Sequence, residues 1–385
     1  MSNEVGLFFI NVFAAYGPFN VINALWAQFA EFNNVLPEGD SLNSTVNLVY
    51  NIANLLCLFV MPFLHKCRKL NDFILLESML ILAVILLLLL GFLYKVTINN
   101  KISIVLLSVS FLSGIVGCFG VTYIFPTLST SDKQKSAISI GLSLGGVTVN
   151  LISSIQQSTS TLLFSIQVFY IIASIIQVIT IILVGWSRYL ALNNKKRQQE
   201  SEPLIEQVND QAENQTKKQV QKIVSKYYGP MAIFCSSFFY YFATPNLFPY
   251  FSKNKSWRQT FNLLVSIFNF LGRLITITPI TRYINRLEII VCILVIFFIF
   301  EIIICFVHVH EAITATAISI HMFLAGYMST IAYYGQVQKE EGDDIEDKIK
   351  ANKQYQKNVS ISNQIACLSA SVCAFGFCKL IDYVK

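Results

Sequence analysis

Charged residues are scarce in this chain. Asp, Glu, Lys and Arg make up 13% of its 385 residues and hydrophobic residues make up 54%, whereas roughly a quarter of the residues in soluble domains are charged. A water-soluble core cannot hide so much apolar surface. Because the apolar residues come in blocks near the ~20 needed to cross a bilayer, the composition excludes a soluble globular protein and predicts an all-α polytopic membrane protein.

Patterns of catalytic and metal-binding residues are also scarce. The nine cysteines contain no C-x-x-C pair, and the four histidines lack companion ligands. No Walker loop and no H-E-x-x-H motif occurs, so nothing couples the chain to ATP or to metal-assisted hydrolysis. We therefore expect no enzymatic activity, no cofactor and no metal site, with the cysteines packing as small apolar side chains.

Eleven candidate transmembrane helices can be recognised. They are Val5–Phe32, Ser44–His65, Phe73–Val96, Ile102–Leu128, Ser136–Gln157, Leu162–Leu190, Gly229–Phe251, Gln259–Thr281, Leu287–Val309, Ala312–Val337 and Asn358–Tyr383. A long polar stretch follows the sixth span. It predicts an N-terminal six-helix bundle (1–192), a disordered cytoplasmic linker (193–228) and a C-terminal five-helix bundle (229–385). Two such bundles moving about a central site are typical of transporters.

The distribution of Lys and Arg predicts the orientation. Twenty of the 28 Lys and Arg residues lie in loops or near span ends on the same side as the N-terminus, seven lie on the other side, and Arg273 lies in the middle of a span. Cytoplasmic loops carry the excess of positive charge. We expect a cytoplasmic N-terminus and an extracytoplasmic C-terminus, and the net positive charge then reflects topology without requiring a nucleic-acid partner.

Ionisable residues within the predicted spans are costly and must face protein or a watery cavity, and we single out three of them. They are Arg273, Glu77 and Glu301. Asn269 precedes Arg273 by four residues and so shares its helical face; the two side chains could bind hydroxyl or carbonyl groups of a solute. The alternative is an ion pair of Arg273 with Glu77 or Glu301, and either acid could instead serve in proton coupling.

The first span carries an unusually polar stripe. Phe19, Asn20, Asn23 and Trp26 lie at helical spacings of three and four. An aromatic face can stack on a planar ring while amides read its edge, and the same stripe can also join helices. For close helix contacts we expect the glycines Gly114, Gly117, Gly120, Gly141, Gly145 and Gly146.

Several motifs resemble those of the eukaryotic riboflavin transporters. Residues 17–26, GPFNVINALW, resemble that family's G-x-W-x-x-x-N-G-x-W, and 36–42, LPEGDSL with Glu38, resemble its L-P-E-G-x-S-L. Residues 121–129 are similar to the family's V-T-F-L-P-F-L-S, and the residues from Gly141 onwards are similar to its G-Q-G-L-S. This chain departs from the family's motifs at several positions. Phe19 replaces a tryptophan, Gln28 and Ala30 replace the glutamate and the proline of W-V-E-L-P, and Leu142 replaces a glutamine.

The second half resembles the equilibrative nucleoside transporters. Thr244 with Phe248-Pro249, then Trp257, then Asn269-x-x-x-Arg273 are similar to T-L-x-x-F-P, a tryptophan and D-x-L-G-R, with Asn269 in place of the aspartate. Both resemblances imply a carrier of a planar ring attached to a polyol or sugar, a six-plus-five bundle akin to the major facilitator fold, and alternating access without ATP. A polytopic receptor or scaffold without transport is the alternative from another functional class.

Short signals bear on the membrane and its sidedness. The glycosylation sequons at Asn43 and Asn254 fall on the predicted outer side, and the sequon at Asn214 falls on the cytoplasmic side. We expect the plasma membrane, with membrane lipid and a small solute as partners. The alternative is a lysosomal or vacuolar membrane, because Glu200 with Leu204-Ile205 resembles an acidic dileucine signal.

Overall fold

A computed structural model describes residues 2–67, 72–120, 132–157, 162–201, 228–278, 287–307, 309–334 and 345–384. The helices of the first half are α1 Ser2–Ala27, α2 Phe29–Val35, α3 Leu42–Cys67, α4 Asp72–Leu93, α5 Ile104–Phe119, α6 Asp132–Gln156 and α7 Ile166–Ser201. Those of the second half are α8 Tyr228–Ala243, α9 Phe248–Phe251, α10 Lys255–Leu274, α11 Leu287–Ile304, α12 Glu311–Tyr334 and α13 Ile345–Val384. Within the described ranges there is no strand, only one isolated bridge between Ile98 and Ile102.

The prediction of an all-α polytopic membrane protein is confirmed. Eight of the helices in the described ranges are long and apolar enough to cross a membrane. Large apolar side chains stay exposed on their outer faces, with Phe59 at 69% and Ile296 at 65%, as lipid-facing residues do. Each of the eleven predicted spans overlaps a helix, but α5, α8 and α10 are shorter or more polar than the eight helices that can cross a membrane. The number eleven therefore stays a prediction.

Two of the predicted spans are broken into a long and a short helix. The first consists of α1 and α2, which meet at Gln28. The seventh consists of α8 and α9, because Thr244 and Pro245 end α8 and proline cannot donate the next helical hydrogen bond. Both breaks lie next to the interface between the two halves of the chain.

Glycines let pairs of helices approach until their backbones touch. A Cβ added to Gly141 of α6 would lie 2.1 Å from the carbonyl oxygen of Val12 in α1. A Cβ on Gly114 of α5 would lie 2.3 Å from the carbonyl oxygen of Tyr50 in α3. The expected role of these glycines in close helix contact is therefore seen in the structure, and Gly272 plays the same part between α10 and α12.

The boundaries of the polar linker differ from the prediction at its start. Helix α7 continues to Ser201, so disorder from residue 193 onwards is wrong for the first nine residues. The remainder, including Leu204 and Ile205, lies outside the described residues. Farther along, α13 begins at Ile345, so the charged stretch that precedes the eleventh predicted span is helical from that residue onwards.

Candidate functional site

A cavity lies between the two halves of the chain and encloses about 1010 Å³, counting the part that opens to solvent. The first half contributes Phe19, Asn23 and Trp26 from α1 and Leu142, Ser143, Gly146 and Asn150 from α6. The second half contributes Ile233, Ser236, Ser237, Tyr240, Tyr241, Thr244, Asn262, Val265, Ser266, Asn269, Arg273, Ala325, Ser329, Tyr333 and Asn363.

Five of the six residues expected to bind substrate line this cavity. Helical spacing brings Phe19, Asn23 and Trp26 to the same face of α1, which faces α10 across the space. Asn20 does not line it. Its amide nitrogen donates to Gln177 Oε1 of α7 at 3.1 Å, so Asn20 joins two helices of the first half, which is the packing role weighed above.

Trp26 forms an aromatic cluster at one end of the cavity, which we call the Trp26 end. Its ring meets Tyr50 at 6.2 Å and Tyr241 at 6.1 Å between centroids, both in edge arrangements. The indole nitrogen is buried and has no hydrogen-bond partner among the described residues. An unpaired buried donor is costly, so a solute that offers an acceptor here would satisfy it.

The α10 helix forms the polar wall of the second half. Asn262, Ser266, Asn269 and Arg273 follow one another at spacings of four, three and four, so they share one face. At ~1.5 Å per residue this face runs about 16 Å from Asn262 to Arg273. Asn262 and Ser266 were not identified from the sequence, although the same spacing rule that paired Asn269 with Arg273 predicts them.

Small side chains keep the α6 wall open. A Cβ on Gly146 would lie 3.4 Å from Ser266 Oγ and 3.7 Å from Asn23 Oδ1, so this glycine leaves two polar atoms facing the space. Asn150, one turn further along, donates to Ser266 Oγ at 2.8 Å. Gly146 therefore lies at the cavity as well as at a helix contact.

Hydrogen bonds between the halves close the Trp26 end. Gln259 Nε2 of α10 donates to Ser153 Oγ of α6 at 2.9 Å, and Asn262 Nδ2 donates to the carbonyl oxygen of Trp26 at 3.4 Å. Beyond them, two ion pairs join Glu31 to Lys255 and Asp40 to Arg258. The first half and the second half are thus in polar contact on this side.

The opposite end of the cavity, which we call the Arg273 end, is also bridged. Arg273 Nε donates to Asn269 Oδ1 at 2.9 Å, and Arg273 Nη1 donates to Ser139 Oγ of α6 at 3.3 Å. Ser139 Oγ in turn shares a hydrogen bond of 2.7 Å with Thr330 Oγ1 of α12. Arg273 therefore both lines the cavity and joins the two halves.

The two intramembrane acids have other partners. Glu77 Oε1 accepts from Arg188 at 3.0 Å, and Glu301 Oε1 lies 2.8 Å from His321 Nδ1 with both side chains fully buried. The alternative in which Arg273 pairs with Glu77 or Glu301 is therefore wrong. His321, taken above as uninformative, is half of a buried pair, whereas proton coupling through either acid stays a prediction.

The loop and sequon residues have structural roles. Glu38 accepts from the backbone nitrogen of Ser103 at 2.5 Å and from its Oγ at 2.8 Å, which caps the start of α5 and keeps Glu38 out of the cavity. Asn43 is buried and donates to the carbonyl oxygen of Pro245 at 3.1 Å. Glycosylation at Asn43 is incompatible with this fold, whereas Asn254 is exposed at the start of α10.

Residues 141–145, Gly-Leu-Ser-Leu-Gly, also match the G-x-S-x-G pattern of serine hydrolases, which the expectation of a chain without catalytic motifs overlooked. In a hydrolase that serine lies on a sharp strand-to-helix turn. Here Ser143 lies inside α6, and its Oγ donates to the carbonyl oxygens of Ser139 and Ile140. In the part of the chain that the structure describes, no group of three or more His, Cys, Asp or Glu is placed to hold a metal ion.

A comparison with known proteins bears on the first half of the chain. Residues 7–159 match the sequence model of a family described as solute carrier family 52, riboflavin transporter. No curated protein matches the chain. The matched segment runs from α1 through α6 and includes the motif at 17–26, the Glu38 loop and the α6 glycines. Over these residues the chain carries the sequence pattern of the riboflavin transporters, which confirms the resemblance to that family.

Proposed function

We propose that this multi-pass membrane protein transports riboflavin by alternating access without ATP, through the cavity between its two halves. The single observation that carries the proposal is that both halves line one cavity, which places the Trp26 ring and the Arg273 guanidinium at opposite ends of a polar wall about 16 Å long. A planar ring and a hydroxylated tail match such a cavity at its aromatic and polar ends. The family match over residues 7–159 supports the same substrate.

Alternating access fits the way in which the halves meet. Polar side-chain contacts bridge the cavity at the Trp26 end and again at the Arg273 end. Hydrogen bonds of this kind can be exchanged for bonds to water when one end opens. Binding of the solute between two bodies that rock about it needs no nucleotide.

A nucleoside is the second candidate substrate. Asn269 and Arg273, which match the D-x-L-G-R motif of the nucleoside carriers except for the missing acid, both line the cavity. A nucleoside also combines a planar ring with hydroxyl groups, so the aromatic and polar ends of the cavity suit either class of solute.

Uptake of labelled riboflavin and labelled adenosine by cells expressing the chain tests the proposal. We expect riboflavin to accumulate above the level of control cells and adenosine not to. Trp26→Ala should lower riboflavin uptake by roughly tenfold or more, since ring stacking contributes ~1–3 kcal/mol. Trp186→Ala, at a lipid-facing tryptophan exposed by 61%, is the matched control and should leave uptake unchanged. Uptake of adenosine alone would favour the nucleoside carrier, and uptake of neither solute would contradict the proposal.

We also propose a plasma-membrane location with the N-terminus and the linker in the cytoplasm, on the basis of the Lys and Arg distribution. An epitope tag inserted between residues 205 and 220 should be labelled only after the cells are permeabilised. Labelling of intact cells would reverse the orientation. Labelling that coincides with a lysosomal marker would favour the alternative location.

A further inference from the structure

No acidic side chain among the described residues lines the cavity to balance the charge of Arg273. Among the cavity-lining residues that the structure describes, Arg273 is the sole ionised side chain. Its hydrogen bonds go to two neutral acceptors, Asn269 Oδ1 and Ser139 Oγ. The acids of the neighbouring spans cannot compensate it, because Glu77 pairs with Arg188 and Glu301 pairs with His321.

Asn269 explains why the charge of Arg273 is not neutralised. Its amide oxygen accepts from Arg273 Nε at 2.9 Å, which is the geometry that an aspartate oxygen at the same position would adopt. An aspartate would form the hydrogen bond and also neutralise the guanidinium. The asparagine provides the hydrogen bond alone, so it positions the guanidinium while leaving its full charge directed at the cavity.

An uncompensated cation in a membrane is expensive, and its field extends far where the surroundings exclude water. The guanidinium has five N–H donors in a planar fork, and the two bonds to Asn269 and Ser139 leave donors for a ligand. Arg273 lines the cavity, so a dissolved group can reach it. The chemistry that matches a planar cationic fork is a carboxylate or a phosphate, and a small inorganic anion can balance its charge.

We propose that the Arg273 end of the cavity is an anion subsite, in which the guanidinium binds either an anionic group of the solute or a small anion such as chloride that enters beside a neutral solute. The subsite discriminates by charge: it favours anionic ligands over neutral ones and excludes cationic ones. Riboflavin itself is neutral, so the anionic group of a solute is that of a charged flavin such as riboflavin 5′-phosphate. Its binding rests on the proposed flavin transport, whereas binding of a small anion does not.

The first experiment needs no flavin. The thermal unfolding midpoint of the purified full chain is measured in sodium chloride and in sodium gluconate at equal ionic strength. We expect chloride to raise the midpoint of the wild-type chain. It should have no such effect on Asn269→Asp, in which the new carboxylate neutralises the Arg273 guanidinium. Ser139→Ala is the matched control, because it removes a hydrogen bond to Arg273 without changing any charge, and it should keep the chloride effect.

The second experiment identifies the source of the anionic group. Competition with labelled riboflavin compares riboflavin 5′-phosphate with an ammonium-terminated flavin of similar length. We expect the phosphate to compete at least about tenfold better in the wild-type chain, because hydrogen bonds to charged groups are the stronger class. Asn269→Asp should abolish this preference. A chloride effect alone would identify a small inorganic anion as the ligand, and a phosphate preference alone would identify the solute.

The anion subsite is overturned if chloride and gluconate give equal midpoints and the two charged flavins also compete equally. It is overturned as well if Asn269→Asp behaves like the wild-type chain in both experiments. If no flavin binds at all, the proposed function fails, and the chloride measurement still decides on the subsite.

Discussion

Replacement of Arg273 by alanine is expected to weaken the apparent affinity for riboflavin about ten- to hundredfold, since a charge-assisted hydrogen bond contributes ~1.5–3 kcal/mol. The surface level of the protein should stay near that of the wild-type chain, because the partners of the guanidinium among the described residues are neutral and its removal strands no acid there. Arg273→Lys should restore little, because an ammonium cannot reproduce the planar fork. Uptake kinetics and surface biotinylation measure the two quantities separately.

Two double variants are the controls for Arg273. Arg273→Ala combined with Glu77→Gln or with Glu301→Gln should transport no better than Arg273→Ala alone, since those acids pair with Arg188 and His321. Recovery of transport in either double variant would show that Arg273 forms an ion pair and would contradict its role at the substrate site.

Alanine at Gly141 or at Gly272 is expected to abolish most of the folded protein. The added Cβ would lie 2.1 Å from the carbonyl oxygen of Val12 in the first case and 2.1 Å from that of Phe323 in the second. Both obstacles are backbone atoms of a packed helix, so the helices must separate, at a cost at or above the ~1–3 kcal/mol of ordinary overpacking. Fluorescence-detected size-exclusion chromatography of a fusion protein and its melting temperature measure the loss.

Gly185→Ala and Gly376→Ala serve as matched controls for this effect. Both glycines lie inside helices, and a Cβ at either position would meet nothing within 4 Å. Alanine should be tolerated there and should favour the helix by up to ~1 kcal/mol. A folded, monodisperse Gly141→Ala protein would contradict the close contact between α1 and α6.

Much of the fold follows from the sequence because lipid allows few alternatives. Apolar blocks of sufficient length must be helices, since backbone polar groups have no other partner in hydrocarbon. The meeting of Trp26 and Asn23 with Asn269 and Arg273 was also predictable, because costly polar side chains in two spans must share an interior face. The structure places all four at the same cavity.

Tertiary partners could not be predicted in the same way. Asn20 lies one position from Phe19 and three from Asn23, so helical spacing assigns it to the same stripe. That stripe is wide enough to contact two neighbouring helices, and the amide of Asn20 faces α7. The pairing of Glu301 with His321 joins residues 20 positions apart on α11 and α12. Periodicity along each helix does not reveal how two helices are rotated relative to each other.

The contacts between α6 and α10 bear on how fast the two surfaces of the cavity can separate. Next to the cavity, the Arg273 end has the charge-assisted bond of Arg273 to Ser139. The other bonds between α6 and α10 are neutral, with Gln259 bonded to Ser153 at the Trp26 end and Asn150 to Ser266 midway. Each of these two neutral hydrogen bonds contributes a net ~0.5–1.5 kcal/mol, which is comparable with thermal energy. These neutral bonds therefore hold the two surfaces together only weakly, and we expect the surfaces to separate at the Trp26 end within the microseconds to milliseconds of collective motions.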